Sequence, residues 1–82
     1  MTTYRPSRAL VAHVEDFARK YGSGAHRIES LLRAAQDDTH AHALGTIFAL
    51  APAHVSEAKI KRAALAVRAE YVSRGAVIVP PR

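Results

Sequence analysis

The chain has 82 residues, no cysteine and a formal net charge of +5, with 49% hydrophobic and 23% charged residues. This length and composition indicate one globular domain spanning residues 1–82, because two independent cores would not fit and the apolar fraction is too high for disorder. The missing cysteines exclude a disulfide scaffold, an iron–sulfur site and a thiolate zinc site.

The predicted first helix covers about residues 8–21. Ser7 is a suitable N-cap, and Gly22 follows the last apolar position, where a left-handed residue commonly ends a helix. Its apolar residues recur with a period of 3.6 residues and form one face. They are Leu10, Val11, Val14, Phe17, Ala18 and Tyr21.

A second helix is predicted over about residues 24–36, with Ser23 as its cap and Ile28, Leu31, Leu32 and Ala35 on one face. Asp37 and Asp38 then supply a stop and a new cap, because carboxylates suit a helix N-terminus.

The third helix, about residues 39–51, has a broad apolar arc, and its other side carries mostly small residues. Small residues allow close approach of a neighbour, so we expect this helix to be central. Pro52 prevents its simple continuation.

The fourth and longest helix is predicted over about residues 57–74, capped by Ser56 and closed by Gly75. It has a main apolar stripe and a second stripe on another side. The second stripe consists of Ala58, Leu65, Ala69 and Val72. After this helix comes a β-branched, proline-blocked tail, residues 76–82, which we expect to be extended.

These elements predict an all-α fold, a compact four-helix bundle with short connections and an extended C-terminal tail. The first eight residues lack the apolar run of a secretory signal, and the most apolar stretch, residues 41–53, is too short to cross a bilayer. We therefore expect a cytoplasmic protein without a membrane segment.

Positive charge is concentrated in the second half of the chain. Residues 1–40 hold six basic and five acidic side chains, or +1, whereas residues 41–82 hold six basic and two acidic, or +4. This asymmetry favours a polyanionic or acidic partner.

The segment HVSEAKIKRAAL resembles the second half of a helix-turn-helix unit, with Val55 and Ser56 at the turn and Ile60 five residues after the valine. Two positions depart from that pattern: His54 stands where the turn usually has glycine, and Pro52 where the preceding helix should continue. The resemblance implies that the first residues of the fourth helix approach the base edges and that the later arginines contact phosphate.

The first functional hypothesis is a small regulatory protein that acts as a dimer and binds double-stranded DNA through its fourth helix. The nucleic-acid-binding residues predicted for it are Ser56, Lys59, Lys61, Arg62 and Arg68. Tyr21 and Tyr71 fall on apolar stripes, and only Tyr4 is expected to be free. Because no stacking platform is expected, duplex DNA is favoured over single strands.

The alternative hypothesis is a protein-interaction module, an adaptor or inhibitor of the kind that mobile elements encode, which docks on a larger protein. The predicted partner or dimer interface consists of Leu65, Val72, Val77 and Ile78. The tail either covers the second stripe within the chain or leaves it for a partner.

Catalysis, cofactors and metals are not expected. His40 and His42 are two residues apart and do not face one another on a helix, and His40 falls on the apolar arc, as a hydrogen-bonded core histidine does. The chain has no cysteine nucleophile, no glycine-rich phosphate loop and no organised serine, histidine and aspartate set. We therefore expect neither an enzyme nor a metal site.

Overall fold

Four α-helices form the body of the protein in the computed structural model, which describes residues 4–75 and all their side chains except that of His26. They are α1 (Arg8–Lys20), α2 (Ile28–Leu32), α3 (Asp38–Leu50) and α4 (Glu57–Ser73), and a 3₁₀ turn (Ala25–Arg27) precedes α2. No strand occurs in this range, so the all-α prediction is confirmed. None of these helices is long and apolar enough to cross a membrane. The predicted tail, residues 76–82, lies outside the described residues.

Capping side chains set the starts of three helices. The hydroxyl of Ser7 accepts a hydrogen bond from the backbone N–H of Leu10, and that of Ser56 accepts one from Lys59. Asp37 does the same for α3 through the N–H of His40, at 2.8 Å. Each bond satisfies an N–H that the helix itself leaves unpaired, so these three predicted caps are confirmed.

The second helix is shorter than predicted. Its α-helical part ends at Leu32, and Ala34 and Ala35 donate to carbonyls three residues earlier, which tightens the chain into turns. The N–H of Gln36 then leaves the helical pattern and donates to Nδ1 of His40 at 3.0 Å. The predicted cap by Ser23 is also wrong, because its hydroxyl donates to the carbonyl of Ala49 instead.

Helix α3 is the centre of the fold, as predicted. It packs against α1, α2 and α4, and seven of its thirteen residues are buried. Gly45 allows the closest approach, because a Cβ at this position would overlap the side chain of Val14 on α1 and lie 2.9 Å from the Cβ of Val14.

Helix α4 lies antiparallel to α3 at the edge of the fold. Near its start, Ile60 lies beside Phe48 and Ala49 at the end of α3, and near its end Arg68 reaches Asp37, the N-cap of α3. The main stripe of α4 faces α3, with Ile60 and Ala64 buried.

We expect Gly45→Ala to lower the free energy of unfolding. Val14 is buried and β-branched, so overlap with a new methyl group costs about 1–3 kcal/mol, and the better helix propensity of alanine offsets at most about 1 kcal/mol. Urea denaturation measures the change.

Val14→Ala removes both γ-carbons that the new methyl group would meet and leaves only the Cβ of residue 14, 2.9 Å away. In that background, Gly45→Ala should therefore cost less than in the wild type, although Val14→Ala alone is destabilising. Equal costs of Gly45→Ala in both backgrounds would contradict the close approach.

Candidate interaction surface

The side of α4 turned away from α3 is here called the α4 outer face. It has an unusual composition for a helix surface that no other helix of the described residues covers. Leu65 and Val72 are 43% and 53% exposed, and Arg62 is the one charged residue on this face. The α4 outer face consists of Ala58, Arg62, Leu65, Ala66, Ala69, Val72 and Ser73, all exposed. A helix at the edge of a domain normally places charged and polar residues opposite its buried stripe.

The predicted second stripe is part of this face. Ala58, Leu65, Ala69 and Val72 all lie exposed in the described part of the chain. The other half of the predicted interface, Val77 and Ile78, lies outside the described residues.

Three predicted cations stand around this face near the start of α4. Lys59 and Arg62 are exposed and Lys61 is half-buried, and within residues 4–75 none of the three is within ion-pair distance of a carboxylate. Ser56, which the sequence also predicts to bind nucleic acid, uses its hydroxyl as the N-cap of α4.

Arg68 differs from the other predicted cations because it pairs within the chain. Its Nε donates to Oδ2 of Asp37 at 2.9 Å, and its terminal nitrogen donates to the same oxygen. This hydrogen bond raises the pKa of Arg68, and it also holds the pKa of Asp37 below its ordinary value. Arg68 therefore ties the end of α4 to the start of α3.

The acidic residues of α4 are also paired. Glu57 lies 3.5 Å from the guanidinium of Arg27, which also stacks over the ring of Phe48, and Glu70 pairs with Arg74. The field around Lys59, Lys61 and Arg62 is therefore positive.

The α3–α4 pair departs from helix-turn-helix geometry. Six residues, Ala51 to Ser56, separate the two helices, and residues of α4 lie beside both ends of α3. A helix-turn-helix unit joins its helices by three or four residues at about 90–120°.

Two expectations about aromatic residues are wrong. Tyr4 is not free, because its hydroxyl donates to Asp38 and its side chain packs against the core; burial and this bond raise its pKa. Tyr21 is not in the core: it follows the last residue of α1 and is 52% exposed, against the ring of Phe17. Tyr71 is half-buried on the main stripe of α4.

His40 is the hydrogen-bonded core histidine that the sequence predicts. It is 3% exposed, and its Nδ1 accepts a hydrogen bond from the backbone N–H of Gln36. The proton of the neutral ring therefore belongs on Nε2. This Nε2 has no hydrogen-bond partner in the described structure. Burial lowers the pKa of His40.

His42 makes a contact that sequence reasoning missed. Its ring stacks on that of His13 of α1, with centroids 5.6 Å apart and planes at 14°. Its Nδ1 is buried and has no hydrogen-bond partner among the described residues. The pKa of His42 is lowered, mainly by burial and to a smaller extent by the charge of the neighbouring His13. The two histidines are 29 positions apart in sequence and lie on two different helices, so no local spacing could reveal the contact. Among the described residues, no group of three or more histidine and acidic side chains could hold a metal ion.

The lowered pKa values of His40 and His42 predict a loss of stability on mild acidification. The unfolded chain takes up protons on these histidines as the pH falls below about 6.5, whereas in the folded chain the same histidines bind protons less readily. The free energy of unfolding should therefore be highest above about pH 7 and fall toward about pH 5. This pH interval lies above the range in which carboxylates titrate. Urea denaturation across this interval measures it.

His40→Gln and His42→Phe should each reduce this pH dependence, and His54→Gln, a change at an exposed histidine, should retain it. A wild-type stability that is constant or rises on acidification would contradict the prediction.

No family model, curated protein or solved structure matches this chain. Similarity therefore assigns it neither a family nor an activity.

Proposed function

We propose that this protein is an interaction module, an adaptor or inhibitor that docks on a partner protein through the α4 outer face. The observation that carries the proposal is the exposure of Leu65 and Val72 on a face with a single charged residue. Protein surfaces rarely leave such a face to solvent, and exposed apolar patches commonly mark interaction sites.

The fold supports this use of α4. The helix begins at a capped serine and is anchored to α3 at both ends, by Ile60 and by the Arg68–Asp37 ion pair. A helix held in this way presents its outer side chains without reorganisation, which lowers the entropic cost of binding.

Leu65→Asp should abolish docking and leave the fold intact, because Leu65 is exposed and surface substitutions usually change stability by no more than about 0.5 kcal/mol. A photo-crosslinking residue at Ala69 identifies the partner in cells. The same residue at Ser30, exposed on α2, is the control position.

The purified partner should then bind the wild-type protein and the Leu50→Asp variant alike, since Leu50 is an exposed leucine on another helix. It should bind Leu65→Asp at least roughly tenfold more weakly, as expected for an apolar contact at the centre of an interface. Equal binding of both aspartate variants would refute docking through this face.

A second candidate function is binding of duplex DNA by α4. The observation that favours it is the cluster of Lys59, Lys61 and Arg62, cations without a carboxylate partner in residues 4–75, on a helix at the edge of the fold. Lysine and arginine side chains of this kind neutralise phosphates and release counterions.

Under this candidate, Arg62→Gln and Arg68→Gln should act differently. Arg62→Gln should weaken duplex binding and reduce the slope of log affinity against log salt by about 0.9, with no loss of stability. Arg68→Gln should lower the free energy of unfolding, because it leaves Asp37 without its partner. Gel-shift titrations at several salt concentrations and urea denaturation measure the two effects; absence of duplex binding at low salt excludes this candidate.

A further inference from the structure

The composition of the α4 outer face points to a helix as the partner element. Four of its seven residues are alanine or serine, and small side chains let the axis of a second helix approach closely. The larger apolar residues, Leu65 and Val72, are seven residues apart, the spacing along the seam of two packed helices.

The charges beside this face select the chemistry of that helix. Lys61 stands on the same flank as Leu65 and Val72, Lys59 stands on the opposite flank, and Arg62 lies between them. The acids of α4 are already paired with Arg27 and Arg74. Carboxylates on the partner are therefore the complement, and they fix its position more than they add affinity.

A second copy of the chain fits this face less well than an acidic helix. In an antiparallel two-fold pair of α4 helices the same flank of each copy meets, so the flank with Lys61 in one copy faces the flank with Lys61 in the other. Each copy also carries a net charge of +5. Like charges at such positions oppose association.

We infer that the docking partner presents an acidic amphipathic helix, which lies along α4 with its apolar side on Leu65 and Val72 and its carboxylates beside Lys59, Lys61 and Arg62. This inference rests on the proposed function and adds the class of partner to it. Arg68 is outside this set because its guanidinium is bound to Asp37.

Three fluorescent peptides of about 20 residues test the inference, a length at which isolated helices become appreciably stable. The first has leucine and alanine on one face and glutamate elsewhere, the second replaces the glutamates with lysine, and the third keeps the glutamates and replaces leucine with glutamine. Fluorescence anisotropy with the full chain at physiological salt measures their affinities.

The first peptide should bind at least roughly tenfold more tightly than either of the others, since both its charges and its leucines contribute. Leu65→Asp should weaken it by a similar factor, and Leu50→Asp should not. The double variant Lys61→Glu/Arg62→Glu should reverse the preference toward the lysine peptide, whereas Lys20→Glu, at an exposed cation on α1, should not.

Equal binding of the two glutamate peptides would overturn the inference, because it would show attraction of charge without an apolar contact. Failure of all three peptides would also overturn it. If the crosslinked partner requires Leu65 but contacts α4 through a neutral or basic surface, the inference fails and the docking function stands. Duplex binding that ignores Leu65→Asp and depends on Arg62 would instead support the DNA candidate.

Discussion

The packing of α1 onto Gly45 sets how closely α1 approaches the central helix α3. Because position 45 has no side chain, Val14 occupies the space where a Cβ would be, and α1 covers one side of α3 closely. Helix α2 covers another side of α3, and α4 packs on the side that α1 and α2 leave uncovered. With α3 as its main neighbour among the described residues, α4 has only two buried residues, Ile60 and Ala64. Its exposed outer face is thus a consequence of how completely α1 and α2 cover the centre of the fold.

A single carboxylate connects the local structure to this arrangement. Asp37 caps α3 through the N–H of His40 and binds the guanidinium of Arg68, so one side chain starts the central helix and fixes the end of α4. The pKa of Asp37 is low because Arg68 and the helix N–H both favour its charged form. His40, next to this corner, accepts from the N–H of Gln36, which follows the turns at the end of α2. The α2–α3 corner is therefore held by hydrogen bonds as well as by apolar packing.

The sequence predicts where α1, α3 and α4 lie, but it does not predict the length of α2 or the side-chain contacts between helices. Ser7, Asp37 and Ser56 were recognisable as caps because capping is local, and the central position of α3 followed from its small and apolar composition. The early end of α2 could not be predicted: beyond it, the N–H of Gln36 donates to Nδ1 of His40, a residue of the next helix, instead of continuing the helical pattern. The exposure of Tyr21 was missed for a related reason: it continues the apolar period of α1 but lies beyond the last helical residue.

The same limit applies to the candidate site, where residues that look equivalent in sequence have different environments. Lys61, Arg62 and Arg68 all occupy one helix, and composition alone groups them as one basic patch. The tertiary structure separates them, since Arg68 meets an aspartate 31 residues away while Lys61 and Arg62 have no carboxylate partner in residues 4–75. What remains near the outer face is a smaller positive group beside two exposed apolar side chains. Phosphate binding would use only the positive group, whereas an acidic amphipathic helix would contact both the positive group and the apolar side chains. This difference favours a protein partner over DNA.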